Sequence, residues 1–176
     1  MGKFLYADEY YDSTYSINFK KYYDRGYRAV IFDVDNTLVE HDAPADERAT
    51  KLIKKLMKLG YKVCFVSNND EQRVAEFNKD LGAHYIFKAG KPLAKGYNAA
   101  MEKMGTDKDN TMFVGDQLFT DIWGANNAGI YSILVQPIAK HEEIQIVLKR
   151  IPEKIILFFY TRKHPLKSRN VNSTNN

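Results

Sequence analysis

A doubly wound parallel α/β sheet of five strands is the fold class this sequence predicts, and three observations predict it. Short apolar runs rich in β-branched and aromatic residues alternate with amphipathic helical stretches, the rhythm of strand-helix-strand units. The first run, Ala29-Val-Ile-Phe32, is apolar at every position, as a strand buried on both faces of a sheet must be. Each run then ends in polar or acidic residues, and open α/β sheets bind ligands at the carboxyl ends of their strands.

Residues 1–25 precede this rhythm and carry Tyr6, Tyr10, Tyr11, Tyr15, Tyr22 and Tyr23 among polar neighbours. They read as a loosely structured N-terminal arm ending in a short helix, its rings covering a sheet edge while the hydroxyls stay wet. After the first strand, residues 46–59 place Ala49, Leu52, Ile53, Leu56 and Met57 along one helical face, with four lysines opposite and Gly60 as the stop. A second strand at 61–66 leads to a helix at 71–81, and a third at 84–87 leads to a helix that Pro92 opens. A fourth strand at 111–114, a helix at 120–127 and a fifth strand at 131–135 complete the set, joined by right-handed crossovers. The catalytic domain is expected to span residues 26–148, and residues 149–176 to form a basic, apolar helix followed by a disordered tail from Lys163.

The chain holds 176 residues, enough for one domain with a sizeable core. Its one cysteine, Cys64, rules out an internal disulfide and points to a reducing compartment. Met1 to Asp8 contains no apolar signal-peptide core, so a cytoplasmic protein is expected. The net charge of +4 is unevenly spread: from Lys149 onward seven Lys or Arg face one acid, Glu153, and the remainder is mildly acidic. That distribution argues against nucleic acid as a partner and for one anionic contact surface, such as a membrane met peripherally through residues 149–169. A terminal helix packed on the sheet fits the same segment, and an oligomer is left open.

The strand ends carry the chemistry. Asp33 and Asp35 follow the first strand, Ser67 and Asn68 the second, Lys88 or Lys91 the third, and Asp116 the fourth, with Asp121 beyond. Asp33 to Asn36 alone also fits a polar turn. Several carboxylates in one crevice call for a cation, and all-oxygen ligands select a hard ion such as Mg²⁺. A lysine beside them makes sense when an anionic substrate arrives as well, which together describes a phosphoryl-transfer site.

These residues resemble the haloacid dehalogenase superfamily of phosphatases through four motifs in order: Asp33-Val-Asp35-Asn-Thr37, Ser67-Asn68, Lys91-Pro92 and Gly115-Asp116 to Asp121. The resemblance implies that Asp33 attacks phosphorus to give an aspartyl-phosphate. Asp35 then protonates the leaving oxygen and later deprotonates the hydrolytic water. It also implies that Asp33, the Asp35 backbone carbonyl and Asp116 hold Mg²⁺, and that Asp121 orients a metal-bound water or Lys91. Thr37, Ser67, Asn68 and Lys91 would grip the phosphoryl group, with Lys91 favoured over Lys88 because Pro92 follows it. Members that store a phospho-enzyme resemble Thr where Asp35 stands, so Asp35 implies a hydrolase.

Thr37 and Ser67, like Asn68 and Pro92, are separated by little more than one helix and one strand, which leaves no room for a cap domain. Capless members take bulky substrates. Within that class the chain resembles the YqeG-type subfamily IIIA phosphatases, which are similar to phosphatidylglycerophosphate phosphatases, so a phosphorylated lipid is the expected substrate. A protein or nucleotide phosphatase, or a scaffold with a vestigial site in a process such as ribosome assembly, is the alternative.

Overall fold

A computed structural model describes residues 4–139. Strands β1 (Glu9–Tyr11), β2 (Ala29–Phe32), β3 (Lys62–Val66), β4 (His84–Ile86), β5 (Thr111–Gly115) and β6 (Tyr131–Val135) form one sheet, every pair parallel, in the order β1-β6-β5-β2-β3-β4. From the central β2 the chain winds outward through β3 and β4, then crosses back to β5 and β6. The winding direction therefore reverses beside β2, and the crevice outside such a reversal is where doubly wound sheets bind ligands.

Helices cover both faces because alternate strand residues point to opposite sides. Val30, Phe32, Val63, Phe65, Met112 and Val114 pack with α1 (Phe19–Asp24), α2 (Glu47–Leu59) and α3 (Glu71–Asn78) on one face. Ile31, Cys64, Val66 and Phe113 pack with α4 (Lys95–Met104) and α5 (Trp123–Asn127) on the other. Burial pushes the Cys64 thiol up to about 12, which makes it an inert core residue. Asp46 starts α2 by accepting the Ala49 N–H at 2.7 Å, and Gly60 ends it in the left-handed region at φ 103°. Among the described residues only α2 and its loop lie between β2 and β3, and no inserted cap is present.

Three expectations are corrected. The sheet has six strands, since residues 9–11 of the arm pair with β6. What draws the arm in is Glu9: its carboxylate accepts from Tyr22 at 2.6 Å, Tyr11 at 2.8 Å and Tyr131 at 2.9 Å. Helix α4 starts at Lys95 rather than at Pro92. The stretch after β5 opens with a wide π-helical turn, Leu118–Ile122, before α5. The expected helices beyond residue 140 lie outside the described residues. No described helix is long and apolar enough to cross a membrane.

Candidate active site

At the carboxyl end of β2 the chain leaves the sheet at Asp33, whose N–H still bonds the Val114 carbonyl of β5 at 3.0 Å. The next turn is tight: Leu38 donates to Val34, Asn36 donates to Val39, and Asn36 sits in the left-handed region at φ 63°. A cavity of about 220 Å³ opens there. Asp33, Asp35, Asn36 and His41 line it from the loop after β2, Ser67, Asn68 and Asn69 from the loop after β3, Lys91 from the loop after β4, and Gln117 and Thr120 from the segment after β5. Every lining side chain is polar or charged, which suits a hydrophilic ligand.

Lys91 is the centre of the charge arrangement. Its Nζ donates to Asp33 Oδ1 at 2.6 Å and to Asp121 Oδ1 at 2.7 Å. The loop is pinned by Asn68, whose Oδ1 accepts the Lys91 N–H at 2.8 Å and whose Nδ2 donates to the Lys91 carbonyl at 3.2 Å. Lys88 instead lies exposed and leaves its backbone N–H to Asn69. Burial by itself would lower the Lys91 ammonium, but Asp121 and Asp33 outweigh it and hold the group well above the ordinary lysine value. For Asp33 the balance runs the other way: burial raises its carboxyl, Asp121 and Asp35 add to that, and Lys91 only partly opposes it.

The carboxylate oxygens of Asp33, Asp116 and Asp121 lie within 4.8 Å of one another. Their exposures are 5, 6 and 0 %, and that of Lys91 is 9 %, so three buried acids face one buried cation. A divalent ion would add positive charge among these carboxylates, and an all-oxygen donor set suits a hard one, so the residues fit such a cofactor. Asp121 is already engaged on both oxygens, with Lys91 on Oδ1 and the Gln117 N–H on Oδ2 at 3.0 Å, which places it as the orienter of Lys91. Thr37 stands behind Asp116, donating to its Oδ1 at 3.2 Å, and is buried. The tight turn after β2 aims the Thr37 hydroxyl at Asp116, just past the end of β5.

Gly115 is required by close approach: a Cβ there would sit 2.7 Å from Asp121 Oδ2 and 2.7 Å from the Phe113 ring. Gly115→Ala is expected to push Asp121 off Lys91, lowering turnover at least about tenfold and stability by about 1–3 kcal/mol. Paired kinetic and denaturant measurements check this, and an unchanged kcat would contradict it.

Asn36, His41, Asn69, Gln117 and Thr120 also line the cavity wall and Arg73 stands next to it, none of them a candidate from sequence. Asn69 could have been noticed beside Ser67 and Asn68. Arg73 had no such signal, since it reaches the site only because α3 starts beside it.

A reversal-point crevice lined by carboxylates, a buried lysine and a hydroxyl is suited to phosphoryl transfer. The family model described as haloacid dehalogenase-like hydrolase matches residues 40–129, and the chain belongs to that family. More narrowly, it is 38% identical over 93% of its length to a Bacillus subtilis protein named probable phosphatase YqeG, covering 95% of that protein. It is 24% identical over 70% of its length to phosphatidylglycerophosphate phosphatase 1 of Arabidopsis thaliana, covering 38% of it. The fold is similar to that of a haloacid dehalogenase family hydrolase from Deinococcus radiodurans, solved with bound phosphate and sodium, with a TM-score of 0.56, 16% identity, and 71% and 88% of the two chains covered.

Proposed function

We propose that this hydrolase is a Mg²⁺-dependent phosphatase that cleaves a phosphomonoester through an aspartyl-phosphate on Asp33, with phosphatidylglycerophosphate as the substrate. The coarser statement, a phosphoric monoester hydrolase of this family, rests on the family match and on relatives named as phosphatases. The observation that carries the mechanism is Lys91 bridging Asp33 and Asp121 inside a polar cavity.

Asp33 attacks phosphorus while Lys91 neutralises a phosphoryl oxygen, and Ser67 with the neighbouring backbone N–H groups orients the others. Bound at Asp33, the Asp35 carbonyl and Asp116, Mg²⁺ would offset the charge that builds on the phosphoryl group. Asp35 passes a proton to the leaving oxygen and takes one from the water that cleaves the Asp33–phosphorus bond. Without a cap, a large leaving group can extend from the mouth into solvent.

Two features support a lipid. The last described residues lie beside the cavity: the Ile138 N–H donates to the carbonyl of Asn36, a residue of the cavity wall, at 2.9 Å. The basic and apolar residues 149–169 follow, and Lys/Arg-flanked apolar segments favour anionic bilayers by roughly 1 kcal/mol per basic residue. Purified protein is expected to release phosphate from phosphatidylglycerophosphate in vesicles with Mg²⁺, and EDTA to stop it. Turnover of soluble esters without turnover of this lipid would remove the lipid assignment. Failure on every ester, alongside tight capture of a protein partner, would favour a scaffold.

A further inference from the structure

The carboxylate of Asp35 is held by a set of donors that none of the four motif positions supplies. Its Oδ1 accepts from Arg73 Nη2 at 2.7 Å and from the Asp42 N–H at 2.9 Å, and its Oδ2 accepts from Asn69 Nδ2 at 2.7 Å. Arg73 is itself tied down. Nη2 also donates to the Ala43 carbonyl at 2.8 Å, the guanidinium lies 5.8 Å from the Phe77 ring centroid, and its backbone N–H caps α3 on Asp70 at 2.9 Å. With 14% of the Arg73 side chain and 11% of the Asp35 side chain exposed, the pair is shielded from the screening that makes surface pairs weak.

The acid Asp42, 3.7 Å from Arg73 Nε, together with Asp70 and Glu76 around the neighbouring hollow, makes this flank unsuited to a second anionic ligand. Arg73 therefore faces inward, toward Asp35. Asp33 is held by Lys91 and Asp35 by Arg73, so the two motif acids have separate cationic supports.

We propose that Arg73, assisted by Asn69, is a positioning residue that fixes Asp35 at the cavity wall for both of its proton transfers. The inference rests on the phosphatase reading above. In the first transfer the bridging P–O bond breaks as an Asp33 oxygen bonds phosphorus, and the departing oxygen takes the Asp35 proton. In the second, water oxygen bonds phosphorus, the Asp33–phosphorus bond breaks, and Asp35 takes the proton from water.

The two steps can be separated by leaving group. Nitrophenolate departs without a proton, whereas an alkoxide needs one. With p-nitrophenyl phosphate, Arg73→Gln is expected to form the phospho-enzyme at the wild-type rate and hydrolyse it slowly. This gives a burst approaching one nitrophenol per enzyme, then a steady state lower by about tenfold to a hundredfold, the size of a misplacement effect. With glycerol phosphate the same variant is expected to show no burst and a similar loss. Arg73→Lys, which keeps a charge and one donor, is expected to fall between, and it carries the test if the glutamine variant is unstable.

An active wild type whose Arg73 variants turn over normally, or lose burst and steady state together at an unchanged melting temperature, overturns this inference alone. A wild type inert toward both esters overturns the phosphatase reading and the inference with it.

Discussion

Replacing Asp33 with Asn is expected to lower turnover of every phosphomonoester by about four orders of magnitude or more, while leaving the protein at least as stable as the wild type. A carboxamide cannot form the acyl phosphate, and no described acid stands ready to replace it. Asp35 is turned onto Arg73, and Asp121 is occupied by Lys91 and the Gln117 N–H. The stability half of the prediction follows from charge. Removing one member of a buried ion pair is ordinarily costly, but here two buried acids share one lysine with Asp116 close by, so losing one relieves repulsion and still leaves Lys91 paired with Asp121. A thermal scan alongside the kinetics separates this outcome from misfolding, and a variant that is inactive because it is unfolded would contradict the charge account.

Lys91→Met is the opposite experiment on the same cluster. The side-chain length is kept and the charge lost, so Asp33 and Asp121 lose the cation that both of them bond, with Asp116 buried beside them. Removal of such a partner costs about 3–5 kcal/mol, and activity should fall with it because nothing then neutralises the phosphoryl oxygens. Divalent cations should recover part of the stability, since binding only the folded state adds RT ln(1 + [L]/Kd). They should recover little of the activity. Urea titrations with and without Mg²⁺ measure both terms, and wild-type stability in metal-free buffer would refute the claim that Lys91 is the main compensating charge.

Much of this fold was legible because buried parallel strands are written as unbroken apolar runs. Ala29 to Phe32 and Val63 to Val66 declared themselves, and the acids and hydroxyl at their ends marked the crevice. What stayed hidden depended on distant partners. The strand Glu9–Tyr11 is three residues with no apolar run, and it becomes a strand because Tyr131, far along the chain, meets Glu9 across the sheet. The bond from Thr37 to Asp116 was equally hidden, because it depends on the φ 63° turn at Asn36 and on a residue 79 positions away. Arg73 reads in sequence as an ordinary exposed residue in the first turn of a helix. Its meaning comes from the packing of α3 beside the Asp35 turn, which no local pattern encodes.

The most direct test of the central claim is acid quenching of the enzyme during turnover of a phosphate-radiolabelled ester, followed by proteolysis and peptide mapping. The account expects a stoichiometric, hydroxylamine-labile label on the peptide bearing Asp33, absent from Asp33→Asn and enriched in Arg73→Gln. Label on another residue, or an active enzyme whose Asp33→Asn variant is labelled like the wild type, would contradict it.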